Sequence, residues 1–179
     1  LMIPDRDAKK WDKTHPLEQI RWANEKHRLT NYNYKKVVRA LKWWNKNYVD
    51  IDGIKSYPLE HLIGQCCPNN SDYNLERAVF ETINAMASYS SRKPYMPDRG
   101  VPEHDVFARI EEDDYQKFIK IVKEKAEKAK QAYYEEDKMR SSLLWREIFG
   151  PEFPVYNTPS PKFSERKEPS NINTEGRFA

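Results

Sequence analysis

Cysteine is nearly missing from this chain: Cys66 and Cys67 are the only two, and they stand side by side. Adjacent thiols cannot build a disulfide framework, which argues against a small stapled extracellular domain. The four histidines, His15, His27, His61 and His104, show no zinc-ligand spacing with each other or with the cysteines. No Gly-x-Ser-x-Gly motif occurs, and no cysteine sits near a plausible histidine base, so nucleophilic hydrolysis has no candidate. No apolar run approaches the roughly 18 to 20 residues of a membrane span. The opening Leu1-Met2-Ile3-Pro4 runs at once into charge and does not read as a signal peptide. A cytosolic protein with no membrane association is the expectation.

What is present is aromatic and charged. Mean hydropathy is -0.99, low for a freestanding globule, yet aromatics make up 13% of residues. Disordered chains lack aromatics, so part of this sequence builds a core and part does not. The net charge of +3 conceals an asymmetry: residues 1–47 hold twelve Lys/Arg against five Asp/Glu. That end attracts polyanions, unless it is simply a solvated helix surface.

Apolar spacing predicts a mainly α-helical body. Residues 1–15 read as an irregular lead-in, and a helix follows from Pro16 to about Thr30 with Leu17, Ile20 and Ala23 or Asn24 at helical spacing. Asn31-Tyr32-Asn33 breaks the chain. Tyr34, Val37, Leu41, Trp44 and Tyr48 then form a 3-4-3-4 stripe on a second helix. A third helix is expected near Pro58 to Gln65 with Ser56 as its cap, and a fourth from Leu75 to about Tyr89 with Leu75, Val79, Ile83 and Met86 inward. Prolines 94, 97 and 102 make residues 90–109 irregular. The longest helix is expected from about Asp113 to Asp137. Its stripe runs from Tyr115 through Phe118, Ile119, Val122, Ala126 and Ala129 to Tyr133, and the acids Glu111 to Asp114 suit its dipole. A last helix, about Ser141 to Phe149, stops at Gly150-Pro151. Beyond Pro154 the composition turns polar and proline-rich, which reads as a flexible tail over residues 155–179.

Two Asp-x-Asp pairs occur, Asp5-Arg6-Asp7 and Asp50-Ile51-Asp52. Such pairs hold Mg²⁺ when they lie on a strand. Neither lies on a predicted strand or follows a Gly-Ser pair, so both read as structural. A more telling cluster is Lys42 with Lys55-Ser56-Tyr57-Pro58. Lys42 borders the apolar stripe of the second helix, and Ser56 and Tyr57 open the third. Free backbone N–H groups and a hydroxyl bind phosphate oxygens, a lysine supplies charge, and a tyrosine ring offers a base a stacking face. The plainer reading leaves Ser56 a cap, Tyr57 a core residue and Lys42 solvated.

At these residues the sequence resembles the C-terminal helical lobe of the cGAS/DncV-like nucleotidyltransferases, the bacterial CD-NTases. The resemblance runs through Ile3-Pro4-Asp5-Arg6 with Trp11 and Pro16, then Val37-Val38-Arg39-Ala40-Leu41-Lys42-Trp43-Trp44, then Lys55-Ser56-Tyr57-Pro58-Leu59-Glu60. It continues through Met96-Pro97-Asp98 to Glu103-His104-Asp105-Val106, and closes with Trp145 to Phe149-Gly150 and Phe153-Pro154. It implies that Lys42 and Ser56 contact the triphosphate of a donor nucleotide and that Tyr57 stacks on its base. Asp105 stands where the family more often has Asn, so only a turn role is expected of it.

Family members join ATP, GTP or other nucleotides into cyclic di- or trinucleotides that trigger anti-phage effectors. Their Mg²⁺ is held by three carboxylates on an N-terminal lobe, which the resemblance does not find in this sequence. The expectation is therefore a C-terminal helical lobe over residues 1–154, with no catalytic or metal-binding residues of its own, and a tail over 155–179. In related operons a synthase tail is bound by ubiquitin-transfer-like E1/E2 helper enzymes, a part that Gly176, Arg177, Phe178 and Ala179 could play. A reading from a different class is a non-catalytic helical module that recognises a protein or nucleic acid through the basic end and the tail.

Overall fold

Tyr34, Val37, Val38, Leu41 and Trp44 recur at helical spacing and are all buried, and the helix they mark is the hub of the molecule. The computed structural model describes residues 2–5, 10–49, 51 and 54–156. Among the described residues six helices follow one short hairpin: α1 Pro16–Leu29, α2 Tyr34–Tyr48, α3 Ser56–Cys66, α4 Leu75–Ser88, α5 Glu112–Tyr134 and α6 Lys138–Phe149. Helix α2 packs against α1, α3, α4 and α6, while α5 lies along α4 and α6. The core is one continuous cluster drawn from α2 to α6 and from the segment between α4 and α5. The mainly α-helical fold is the one the sequence pattern predicts.

The lead-in is not irregular. Residues Met2–Asp5 (β1) and Lys10–Lys13 (β2) pair antiparallel, with Met2 opposite Lys13 and Asp5 opposite Lys10. The connection Arg6-Asp7-Ala8-Lys9 carries none of the Asn-Gly or Asp-Gly signals that mark a tight hairpin in sequence. Pro4 is tolerated because both strands of a two-stranded ribbon are edges.

Helix α1 turns a different face inward from the one its apolar residues suggest. Leu17 and Ile20 are 62% and 56% exposed, and no residue of the helix is fully buried. Of the expected stripe Ala23 does pack against the core, joined there by Trp22, and the Lys26 ammonium reaches the Cys67 carbonyl oxygen. Gly64 of α3 makes that approach possible, because a Cβ there would run into the indole of Trp22. The stem of Lys26 buries as an apolar chain would, which a hydropathy pattern does not register.

Three further expectations shift. Leu75 is exposed rather than inward, being the first residue of α4, where Asn74 caps the helix by accepting from the Arg77 N–H at 2.8 Å. Tyr48, the last residue of the α2 stripe, is also exposed. Helix α6 begins one turn early at Lys138, because the Asp137 carboxylate caps it through the Arg140 N–H at 2.7 Å. The stripe of α5 is buried from Tyr115 through Ala129, with Tyr133 packed at its edge on Phe80, ring centroids 4.8 Å apart. Residues 90–109 are irregular as expected, and the stretch up to α5 is anchored. The Asp105 carboxylate accepts from the Met96 and Phe107 N–H groups, both at 2.9 Å, so its role here is to hold a turn. The tail from residue 157 onward, with Gly176, Arg177, Phe178 and Ala179, lies outside the described residues, as do Asp7, Asp50 and Asp52.

Candidate nucleotide-binding site

Helix α3 opens beside α2, and its first residues decide what the site can do. Ser56 is the first helical residue, and Lys55, in extended conformation, takes the cap position without a side-chain hydrogen bond. Ser56 is therefore not the cap that the sequence suggests, which leaves its hydroxyl free of that duty. The first N–H groups of a helix have no intrahelical acceptor. Pro58 has no N–H, so Ser56 and Tyr57 supply the outward-facing donors of this first turn.

Ser56 lines a cavity of about 520 Å³ with Lys55, Ile54 and, from α2, Arg39, Lys42, Trp43, Asn45 and Lys46. Four cationic side chains thus surround a helix N-terminus, an arrangement that favours a multiply charged anion. Three of them converge because positions 39, 42 and 46 share one side of α2 at three- and four-residue spacing, together with Trp43, and the fourth, Lys55, precedes α3. Lys42 is not simply solvated: its ammonium is paired with the Glu60 carboxylate of α3, and the two side chains are 29% and 37% exposed. A phosphate in the cavity would compete with Glu60 for this ammonium.

Tyr57 points elsewhere. Its ring lines a neighbouring cleft of about 290 Å³, with Gln19, Ile20, Trp22, Ala23, Glu60, His61 and Arg99. Glu60 borders this cleft and pairs with Lys42 of the cationic cavity, so one carboxylate stands between the two. The tyrosine is 43% exposed, not a core residue. Its hydroxyl donates to the Asp98 carboxylate and accepts from Gln19 Nε2 at 2.6 Å. Burial and the adjacent Asp98 charge both push the phenol well above its ordinary range. Burial also works against ionisation of Asp98, but hydrogen bonds from Tyr57, Gly100, Gln19 and Val101 outweigh it and hold the carboxyl below its usual range.

His61, one turn on from Tyr57, has its ring centroid 4.6 Å from that of the tyrosine. Its Nε2 accepts from the Arg99 N–H at 3.3 Å, and Nδ1 lies 3.2 Å from the Tyr57 carbonyl oxygen. These partners fit the neutral ring with its proton on Nδ1. Burial lowers the His61 pKa in the same sense.

Sequence spacing thus brings Lys42 and Ser56 together in one cavity and sets Tyr57 in the next. It missed Arg39, Lys46 and Trp43, whose signal was their place on the Lys42 side of α2, Asp98, which stood in a quoted stretch but was given no role, and Gln19, which carried no signal. A larger groove of about 930 Å³ between α2, α4 and α6 is apolar, lined by Trp43, Trp145, Phe149, Phe153 and Tyr156 among others, and offers little to phosphate. Among the described residues no three His, Cys, Asp or Glu side chains gather closely enough to hold a metal ion. The Mg²⁺ implied by the resemblance therefore has no ligand set among them. No helix of the described residues is long and apolar enough to cross a membrane.

No family model matches the chain. A cyclic AMP-AMP-GMP synthase from Enterobacter hormaechei subsp. hoffmannii is 38% identical over an alignment of 194 residues, covering all of this chain and 50% of the relative. A probable cyclic AMP-AMP-GMP nucleotide synthase of Salmonella paratyphi B is likewise 38% identical, over all of this chain and 50% of its own length. A cyclic AMP-AMP-AMP synthase from an Acinetobacter strain is 31% identical over 86% of this chain and 46% of its own. Among solved structures, CdnC from E. coli MS115-1 with ATP superposes with a TM-score of 0.69 at 17% identity, covering 86% of this chain and 55% of that one. CdnC in complex with HORMA-deltaN gives 0.65 at 18% identity, over 81% and 53%. The chain spans about half the length of the curated relatives it matches. The fold, the residues of α2 and α3 and these relatives agree: the chain belongs to the cGAS/DncV-like nucleotidyltransferases, the CD-NTases, as a mainly α-helical part of such a protein.

Proposed function

We propose that this chain is the C-terminal helical lobe, residues 1–154 with a tail over 155–179, of a bacterial synthase that makes cyclic di- or trinucleotides from ATP and GTP. The observation that carries the reading is the shared cavity of Lys42 and Ser56, ringed by Arg39, Lys46 and Lys55 at the start of α3. In this reading Lys42 and the Ser56 hydroxyl hold the donor triphosphate, and Tyr57 stacks on the donor base from the adjacent cleft. The lobe binds and orients the donor, and the chemistry belongs to an N-terminal lobe of the same protein, whose carboxylates would hold Mg²⁺. No step through that ion is assigned to the residues of this chain. The relatives' names support cyclic-oligonucleotide synthesis. The cytoplasm and anti-phage signalling are the setting that the family resemblance implies.

The tail reading rests on sequence alone: Gly176 suits a narrow channel, and Phe178 is an aromatic anchor in a polar stretch that an E1/E2-like conjugating enzyme could grip. Incubating the full-length protein with ATP, GTP and Mg²⁺, followed by mass spectrometry of phosphatase-resistant products, tests the activity. Lys42→Ala and Ser56→Ala should lower the yield of cyclic product while the protein stays folded. Unchanged yield in a well-folded double variant would remove the donor-site assignment. Recovery of a conjugating enzyme by the whole protein but not by one ending at residue 154 tests the tail.

A further inference from the structure

Three elements separated in sequence converge on the Tyr57 hydroxyl. Helix α3 supplies the tyrosine, α1 supplies Gln19, and the segment between α4 and α5 supplies Asp98. Asp98 is only 9% exposed. One of its carboxylate oxygens accepts from the Gly100 N–H at 2.6 Å, the Val101 N–H at 3.2 Å and Gln19 Nε2 at 3.1 Å, and the other accepts the Tyr57 O–H. The carboxylate is thus held by its own backbone turn before it meets the tyrosine. That turn is pressed onto α1: a Cβ on Gly100 would lie 2.8 Å from the His15 carbonyl oxygen and 3.1 Å from Gln19 Cγ. The ring of Tyr57 therefore has a fixed acceptor and a fixed donor at its far end, while His61 braces its flank.

Such a clamp does more than the core requires. Tyr57 is 43% exposed, and a side chain this exposed fills little of the core, yet its hydroxyl is held by a nearly buried carboxylate and a partly buried amide. An exposed ring held in one plane is what stacking on a flat ligand needs, because the ring's torsional freedom is then lost on folding rather than on binding. We infer that Asp98, assisted by Gln19, is a positioning residue that fixes the plane of the Tyr57 ring for a nucleobase. This rests on the reading of Tyr57 as the base platform. It also assigns the hydroxyl away from base recognition: it is fully engaged by protein, so the platform accepts any base by its face.

The test uses the full-length protein and two probes in the presence of Mg²⁺. One is an ATP analogue with a methylene between its α and β phosphorus atoms, which cannot be transferred. The other is inorganic tripolyphosphate, which carries the phosphates without a base. Binding is read by calorimetry for wild type, Tyr57→Ala, Tyr57→Phe, Asp98→Asn and the double variant Tyr57→Phe/Asp98→Asn. Tyr57→Ala should weaken the analogue by about tenfold or more. Tyr57→Phe and Asp98→Asn should each weaken it by about three- to tenfold while tripolyphosphate binds as in wild type. The double variant should be no worse than the weaker single, because both changes cut the same link. Tyr57→Phe keeps the ring and leaves the Asp98 turn its backbone donors, so it stands if Asp98→Asn folds poorly. If Tyr57→Ala binds the analogue like wild type, the base-platform reading itself is wrong. If Tyr57→Ala is weak but Tyr57→Phe and Asp98→Asn are normal, the platform stands and the positioning inference is overturned. Equal loss of both probes in Asp98→Asn also overturns it, since the carboxylate would then serve only the fold.

Discussion

The Lys42–Glu60 pair gives the sharpest reading of the cationic cavity. Both side chains are about one-third exposed, so the attraction is screened by water from one side. Unit charges in contact at a protein surface attract by about 4 kcal/mol before desolvation and ordering are subtracted, and pairs this exposed retain about 0.2 to 1 kcal/mol. Replacing Glu60 by Gln should therefore cost the fold no more than about 1 kcal/mol. Its effect on anion binding has the opposite sign. The exchange removes one negative charge from the edge of a cavity lined by four cations and frees the Lys42 ammonium for phosphate. A gain of about 0.5 to 1 kcal/mol corresponds to roughly two- to fivefold tighter binding of tripolyphosphate to the full-length protein. Calorimetry at low salt, repeated at about tenfold higher salt, checks both parts, since screening should erase most of the difference. Lys42→Ala should move affinity the other way, and Glu60→Gln should have little effect in its background. Binding that is unchanged or weaker in Glu60→Gln alone would mean that Lys42 does not meet the anion, and the site assignment would fail there.

Other parts of the structure yield their own expectations. The Tyr34 hydroxyl is buried with no hydrogen-bond partner among the described residues, so Tyr34→Phe should stabilise the protein by about 1 kcal/mol in denaturant titration; a loss of that size would mean the hydroxyl is satisfied. Gly64→Ala gains helix propensity but drives a methyl into Trp22, and should lower the melting temperature by a few degrees, an effect that Trp22→Leu should relieve. His61 is held neutral by burial, so its folded pKa lies below the ordinary 6.5 while the unfolded chain still takes up the proton. Stability should thus be full above about pH 6.5 and fall as pH drops from there toward the folded value, and His61→Gln should flatten that slope. A slope unchanged in the variant would place the titration elsewhere.

Much of the helical body was legible because burial leaves a period. The α2 stripe reads correctly through Trp44 and the α5 stripe through Ala129, since each places large apolar residues at three- and four-residue steps against a core. Reading failed where polar atoms did the structural work. Asp137 starts α6 a turn early, Asn74 leaves Leu75 at an exposed helix end, and the hairpin of β1 and β2 lacks a turn signal. On α1 the inward face includes Lys26, whose ammonium finds a backbone carbonyl, so a scale that scores lysine as polar selects Leu17 and Ile20 instead.

The site divides in the same way, and for a reason that bears on how such sites are built. Lys42, Ser56 and Tyr57 could be singled out because each is a residue type with its own chemistry beside a helix start. Asp98 and Gln19 could not, because what matters about them is a meeting point between segments 79 residues apart. A phosphate subsite tolerates loose construction: several lysines around a helix N-terminus attract charge from many angles, and the loss of one leaves the rest. A stacking subsite does not, since a tilted ring forfeits contact over its whole face. Under the proposed donor-site assignment the molecule would follow that distinction. Arg39 and Lys46 on α2 and Lys55 just before α3 line their cavity as exposed side chains, whereas Tyr57 is tied to α1 and to a braced turn through Gln19 and one nearly buried carboxylate. Substitutions among the cations should therefore lower affinity in small, roughly additive steps. Substitutions around the tyrosine should act as a unit, any one of them removing most of what the clamp contributes.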